Sequence, residues 1–150
     1  MQWNCFVWRI GGFMNFENSL IEGKAKKVMP NKIRASSLFK SSIQAIETAK
    51  IIQLNSNTLK SILRELYEGL REYCEAVGYS KGYKFLDHES IGYFLREILK
   101  EPSISAKFDR YRRLRNGINY YGEEINIETV KEAIIEIPKL IKELEKYSKG

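Results

Sequence analysis

The chain has 150 residues, of which 43% are apolar and 29% are charged, and it contains ten glycines and three prolines. This length is typical of one domain, and the composition excludes a disordered tail protein, a collagen-like repeat and a disulfide-stapled scaffold. The formal net charge of +6 at pH 7 favours polyanionic partners, but it is too small to establish nucleic-acid binding by itself.

The start of the chain differs in composition from the rest, because it is rich in tryptophan and phenylalanine around a Gly11-Gly12 pair. We interpret residues 1–13 as an accessory segment, with Met14 as an alternative start of translation, and residues 14–150 as a single domain. No uninterrupted apolar run reaches about 18 residues, so we expect neither a membrane span nor a signal peptide. A cytoplasmic protein is the resulting expectation.

Residues that usually bind metals or act as nucleophiles are scarce. The chain has one histidine, His88, and two cysteines, Cys5 and Cys74, which lie far apart in sequence. We therefore expect no metal site, no disulfide framework and no cofactor, and we place Cys74 in the core. Glutamate outnumbers aspartate by 17 to 2, and this Lys/Glu-rich composition resembles that of hyperthermophile proteins.

Apolar residues recur at three- and four-residue spacing along most of the chain, which predicts helices. In chain order these are a short charged helix at 16–27, then helices at about 32–53, 59–77, 87–98, 104–121 and from 127 onwards. Ile43 and Ile98 are expected to face inward. No segment shows the sustained two-residue alternation of a strand. The sequence therefore predicts an all-α fold, an up-and-down bundle of four to five helices.

The ends of these helices carry recognisable signals. Gly78 is predicted to end the helix before it, and residues 79–86 to form a loop. Asp87 and Asn126 precede helical patterns and are predicted to cap them, because their side chains accept hydrogen bonds from free backbone N–H groups. Gly122 is predicted to end the fourth main helix in a left-handed conformation.

Positive charge is concentrated in two places. Residues 24–46 carry six lysines and arginines and no acid, which we interpret as a solvated helix surface. Residues 107–115 carry five basic residues against Asp109, and four of the five are arginines. Because a planar guanidinium matches the geometry of a phosphate, the second cluster is the stronger candidate for a binding site.

On a helix, residues 108–122 present two distinct faces. The apolar face is formed by Phe108, Tyr111, Leu114, Ile118 and Tyr121. The polar strip is formed by Arg112, Arg115, Asn116 and Asn119. Asparagine and glycine are poor helix formers, which indicates a constraint other than helix stability, and Gly117 would let a second backbone approach closely. The two arginines either bind a ligand or pair with acids of the last helix, and residue chemistry alone favours neither.

The segment Arg115-Asn116-Gly117-Ile118-Asn119-Tyr120-Tyr121-Gly122 resembles the signature helix of the HEPN family. In that family an arginine and a polar residue precede a histidine four to six positions after the arginine. Arg115 and Asn116 match the first half of the motif, and Tyr120 stands at the position of the histidine. The segment is also similar to an archaeal-type variant, Arg-Asn-x-x-Asn-Tyr-Tyr-Gly. HEPN domains are small helical bundles, often dimeric. Many are metal-independent ribonucleases or partners of a minimal nucleotidyltransferase in toxin–antitoxin pairs.

The resemblance implies a homodimer that binds RNA or a nucleotide, with a minimal nucleotidyltransferase as a further partner. It places Arg115 and Tyr120 at catalytic positions, and Arg112, Asn116, Asn119 and Tyr121 at ligand-binding positions. Tyrosine is a poor base at pH 7 because the pKa of a phenol is near 10, so we expect ribonuclease activity to be weak or lost while binding persists. A tyrosine can still donate a hydrogen bond or stack on a nucleobase.

The resemblance also implies an alternative in which Tyr120 or Tyr121 accepts a nucleotidyl group from the nucleotidyltransferase. Related chains are modified at a tyrosine two residues beyond the histidine, and here Gly122 stands at that position. Two other functions remain open. The helix that carries Arg115 serves only as a contact between two copies, or Arg115 and Tyr120 form an active ribonuclease.

His88 also has two interpretations. We favour a first-turn residue hydrogen-bonded to the helix cap over a side chain that reaches the cleft between the helices.

Overall fold

The computed structural model describes residues 15–148, so the accessory segment predicted at 1–13 lies outside the described residues. Within this range the chain forms six α-helices and one two-stranded ribbon. In chain order the elements are α1 (Phe16–Ile21), β1 (Ala25–Lys27), α2 (Lys32–Ile51), α3 (Leu59–Lys81), β2 (Tyr83–Phe85), α4 (Glu89–Glu97), α5 (Pro102–Tyr121) and α6 (Ile127–Leu144). The predicted all-α helical bundle is confirmed. None of the helices within residues 15–148 is both long and apolar enough to cross a bilayer.

The core is organised around α3, whose apolar stripe is buried along most of its length. This helix packs against α2 and also contacts α5 and α6. Gly69 lets α2 approach closely, because a Cβ there would meet the Ile46 side chain and the backbone carbonyl of Ser42. The Ser42 hydroxyl donates a hydrogen bond of 2.6 Å to the carbonyl of Gly69. Cys74 is fully buried in the same core, as predicted.

The two-stranded ribbon was not expected from the sequence. It pairs β1 with β2 antiparallel, with Ala25 opposite Phe85, and it replaces the second half of the helix predicted at 16–27 and part of the loop predicted at 79–86. Strands of three residues are too short to show a two-residue alternation, which explains why the pattern gave no sign of them.

The end of α3 also differs from the expectation. The helix continues through Gly78 to Lys81, and Gly82 ends it with a φ of 92°, in the left-handed region that favours glycine. Gly78 has a different function, because a Cβ at this position would clash with the ring of Phe85. The glycine therefore makes room for the ribbon to pack against the helix.

Three residues expected to face inward are exposed: Ile43, Ile98 and Tyr121. Beyond the end of α4, Leu99 is buried in the position expected for Ile98. Tyr121 is the last residue of α5 and is 77% exposed, so the apolar face predicted for this helix ends at Ile118.

The helix α5 positions the candidate site. Its buried residues contact α3 and α4, and they are Ile104, Ser105, Phe108, Tyr111, Gly117 and Ile118. Gly122 ends the helix with a φ of 63°, as predicted, and Asn126 caps α6 by accepting a hydrogen bond of 2.8 Å from the backbone N–H of Thr129. The close neighbour of Gly117 is the carboxylate of Glu123, whereas the sequence predicted a second backbone there.

Candidate functional site

The start of α4, the turn before it and α5 surround a cavity of about 410 Å³, called here the α5 cavity. Leu86, Asp87, His88 and Glu89 line it from the side of α4, and Arg112, Arg115, Asn116 and Tyr120 line it from α5. All six predicted site residues lie on α5, and the structure brings four of them together in this cavity. Pockets that hold small ligands have volumes of roughly 300–1,000 Å³, so the cavity is large enough for a nucleotide-sized group.

Arg115 is half-buried and lies over the face of a tyrosine ring. Its guanidinium carbon is 5.7 Å from the centroid of Tyr67, a geometry that favours a cation–π interaction. Its Nη1 is 3.5 Å from the side-chain oxygen of Asn116. Among residues 15–148 no carboxylate lies within ion-pair distance of this guanidinium. Most of its five N–H donors therefore lack an acceptor within the described residues.

Arg112 lines the same cavity but is already paired. Its side chain is only 13% exposed, and its Nη2 lies 2.7 Å from the Asp109 carboxylate. The second oxygen of Asp109 accepts a hydrogen bond of 2.7 Å from Arg113. Burial by itself would raise the pKa of Asp109, but the two guanidiniums outweigh burial and hold the pKa below its ordinary value. Arg112 therefore brings less free positive charge to the cavity than Arg115 does.

His88 also lines the cavity, which corrects the interpretation we favoured. It occupies the N-cap position of α4 without a side-chain capping bond, and its Nδ1 lies 3.0 Å from the hydroxyl of Tyr67. Burial, together with the positive charges of Arg71 and Arg115, lowers the pKa of His88 to about 4. The ring is therefore neutral at pH 7. The α5 motif lacks a histidine, and an imidazole is nevertheless present in the cavity, carried by the turn before α4.

A sequence signal for this contact did exist. Tyr67 lies in the middle of the apolar stripe of α3, and a buried tyrosine hydroxyl usually needs a hydrogen-bond partner. The chain offers many neutral side chains that could be this partner, and its single histidine is one of them. The sequence alone, however, does not show which of them lies near Tyr67.

Two predicted site residues do not line the cavity. Asn119 is turned toward α3, where its side-chain oxygen accepts a hydrogen bond of 2.7 Å from Nε of Arg64. Tyr121 is exposed beside the end of α5. The alternative in which Arg112 and Arg115 pair with acids of the last helix is wrong. Neither arginine forms an ion pair with a described acid of α6, and two of those acids pair instead with Lys107 and Arg110.

The cavity has a basic side and an acidic side. Asp87 accepts a hydrogen bond of 2.9 Å from the backbone N–H of Ser90, which confirms its predicted capping role, and Glu89 follows in the first turn of α4. Guanidinium groups bind phosphate, whereas carboxylates accept hydrogen bonds from hydroxyl or amino groups. A ligand that carries both kinds of group, as a nucleotide does, fits this arrangement better than a bare anion.

No protein-family model matches the chain, and neither a curated protein nor a solved structure matches it. Within residues 15–148 no group of three or more carboxylate, thiol or imidazole side chains converges as a metal site would require. Support for a function comes from the geometry of the α5 cavity and from residues 115–122.

Proposed function

We propose that this protein is a HEPN-type helical domain that binds RNA or a nucleotide in the α5 cavity. One observation carries the proposal: Arg115 has no carboxylate partner within residues 15–148, yet it lines a cavity together with Asn116 and Tyr120. A half-buried guanidinium gains most from an anion at such a place, because charge-assisted hydrogen bonds are stronger where water is partly excluded.

Each residue of the cavity has a part in this proposal. Arg115 donates hydrogen bonds to a phosphate, and Asn116 orients the guanidinium or the ligand through its amide. Tyr120 is 70% exposed at the edge of the cavity and offers its ring to a nucleobase. Asp87 and Glu89 accept hydrogen bonds from ribose hydroxyls or base amino groups on the opposite side.

Ribonuclease activity in this proposal is weak or lost. Efficient general acid–base catalysis at neutral pH needs a group with a pKa near 7. The pKa of His88 is held at about 4, so its ring is a weak base and carries no proton as an imidazolium at pH 7. The structure thus favours binding over an active site built on Arg115 and Tyr120.

The proposal includes a homodimer and, as a further partner, a minimal nucleotidyltransferase. Both follow from the resemblance of residues 115–122 to the HEPN helix, and an RNA-binding role implies the cytoplasmic location expected from the sequence. The order of genes around the coding sequence tests the partner, because a neighbouring small nucleotidyltransferase gene would support it.

Exchange of Arg115 for alanine tests the site. We expect Arg115→Ala to weaken binding of a short single-stranded oligouridylate by about tenfold or more, because a hydrogen bond to a charged group contributes about 1.5–3 kcal/mol. The slope of log K against log salt concentration should fall by about one. Isothermal titration calorimetry at several salt concentrations measures both quantities.

Arg113→Ala is the matched control. It removes the same charge from the same helix, but Arg113 is 72% exposed and does not line the cavity. Equal losses in the two variants would show that the chain binds RNA only through its overall charge. If the wild-type protein does not bind the probe, the proposal fails.

A second candidate is a homodimeric interaction module with no role in nucleic-acid binding. Two neighbouring aromatic side chains, Tyr120 and Tyr121, are both exposed at the end of α5, which favours contact with another protein surface. Sedimentation equilibrium tests this candidate. A dimer that dissociates on Tyr121→Ala exchange, in a chain that does not bind the oligouridylate, would replace the first proposal.

A further inference from the structure

His88 connects the α5 cavity to the core. One ring nitrogen, Nδ1, lies 3.0 Å from the hydroxyl of Tyr67, a residue with no solvent exposure. The other nitrogen, Nε2, has no hydrogen-bond partner among residues 15–148. It is also not sealed from solvent, because the only buried and unpartnered side-chain polar atoms in this range are the hydroxyls of Ser19 and Ser90. Nε2 is therefore free to exchange a proton or to bind a ligand.

The charges around His88 oppose its protonation. From α5 the guanidinium of Arg115 faces it, and from α3 the guanidinium of Arg71 does so. Glu68 on α3 and Asp87 in the preceding turn act in the opposite direction, but burial and the two cations outweigh them. Arg71 forms ion pairs with both Glu68 and Glu75, so the charges of all three groups are partly compensated.

The remaining charged groups nearby do not change this balance. Arg112 lines the cavity from α5 but pairs with Asp109, and Glu89 lines it from the first turn of α4. Lys24, the residue just before β1, interacts electrostatically with Asp87 and Glu89, and this compensates part of their negative charge. In the empty cavity, burial together with Arg71 and Arg115 thus keeps the imidazole neutral.

An anion in the cavity has the opposite effect and favours protonation of His88. A phosphate that binds Arg115 neutralises one of the two cations that lower the pKa of His88, and it adds negative charge to the cavity that the imidazole lines. Both effects favour the charged form of a histidine. We infer that a phosphate group entering the α5 cavity brings a proton onto the imidazole ring of His88, so that an imidazolium, through its Nε2–H, and Arg115 hold the ligand together. This inference rests on the proposed function, because it requires that the cavity binds a phosphate.

The consequence is a binding affinity that depends on pH. In the free protein the pKa of His88 is about 4, and the bound phosphate raises it. Between the two pKa values the complex holds more protons than the free protein, so affinity rises as the pH falls. If the pKa in the complex is about 6, the affinity at pH 5 should exceed that at pH 7 by about tenfold.

Calorimetric titration of the full chain with a short oligouridylate between about pH 5 and pH 8 tests this inference. Neither the phosphodiesters nor the uracil rings of this probe titrate in that range, so a change in affinity reports the protein. His88→Gln keeps a hydrogen-bonding side chain but cannot take up a proton. We expect the pH dependence in wild type and a flat profile in the variant.

A second measurement does not depend on a variant that must fold. Because the chain has a single histidine, a two-dimensional nitrogen–proton NMR spectrum reports the pKa and the tautomer of His88 without ambiguity. Saturation with the oligouridylate should raise this pKa by more than about one unit.

The outcomes separate this inference from the proposed function. If the oligouridylate does not bind, both the proposed function and this inference are rejected. If it binds in a way that depends on Arg115, but the affinity is flat with pH and the pKa of His88 is unchanged, the site stands and the proton uptake is rejected. A pH dependence that persists in His88→Gln would also reject it.

Discussion

The two sides of α5 differ in whether their basic side chains form ion pairs with acids of a neighbouring helix. On the side of α6, Nη2 of Arg110 lies 2.9 Å from Glu132, and Nζ of Lys107 lies 3.3 Å from Glu136. On the side of the α5 cavity, Arg115 has no ion-pair partner within residues 15–148. Arg110 and Arg115 are five residues apart, so their side chains leave the helix about 140° apart.

This difference shows that the density of arginines does not by itself locate a site. Residues 107–115 form one basic cluster in the sequence, but the acids of α6 neutralise one half of it. On that side the hydroxyl of Tyr111 also donates a hydrogen bond of 2.5 Å to Glu136. This bond, with help from Lys107 and Arg110, holds the pKa of Glu136 below its ordinary value despite burial. We therefore assign a structural role to the α6 side and a binding role to the cavity side.

We expect the largest effect, a loss of stability, from a change on the side of α5 that faces α6. Glu136→Ala leaves the hydroxyl of the buried Tyr111 without its acceptor and frees the charges of Lys107 and Arg110. Loss of a partner for a buried polar group costs about 1–3 kcal/mol, so the free energy of unfolding should fall by that amount. Urea denaturation measures it. Binding of the oligouridylate should not weaken.

Glu132→Ala is the control for this change. Glu132 pairs with Arg110 at an exposed position, so its loss should cost less than about 1 kcal/mol. The division of α5 into two sides would be wrong if Glu136→Ala left the stability unchanged and weakened RNA binding instead.

The next largest effect is a difference in RNA binding between variants of two adjacent tyrosines. Tyr120 lines the cavity and Tyr121 does not, although both are exposed. Stacking of a base on an aromatic ring contributes about 1–3 kcal/mol, and at so exposed a position we expect the lower end. Tyr120→Ala should therefore weaken oligouridylate binding by roughly fivefold, while Tyr121→Ala leaves it unchanged. Equal losses would place the ligand on the end of α5 instead of in the cavity.

Features of the fold that depend on residues close together in the chain could be predicted from the sequence. The apolar stripe of α3, the caps at Asp87 and Asn126 and the glycine that ends α5 each follow from residues within a few positions of one another. The ribbon and the true end of α3 were not predictable. Gly78 and Gly82 look alike as helix terminators, and only the position of Phe85, set by the ribbon, distinguishes them.

The candidate site likewise has features that could be predicted from the sequence and features that could not. The strip on α5 follows from helical spacing, so Arg112, Arg115 and Asn116 were placed together correctly. Which arginine has an acid beside it depends on the packing of α6, and His88 reaches the cavity only because α4 begins beside Tyr67. Contacts between elements that are distant in sequence leave no periodic signal.

The smallest expected effect concerns the edge of the cavity. Asn119 belongs to the predicted polar strip, but its side chain accepts a hydrogen bond from Arg64 at an exposed position. We expect Asn119→Ala to change oligouridylate affinity by less than about twofold, because an exposed contact of this kind contributes little. Asn116→Ala, one turn earlier and inside the cavity, should cause a larger loss in the same calorimetric titration. If the two losses are equal, the bound strand extends beyond the cavity to Arg64, and the binding surface includes α3 as well as α5.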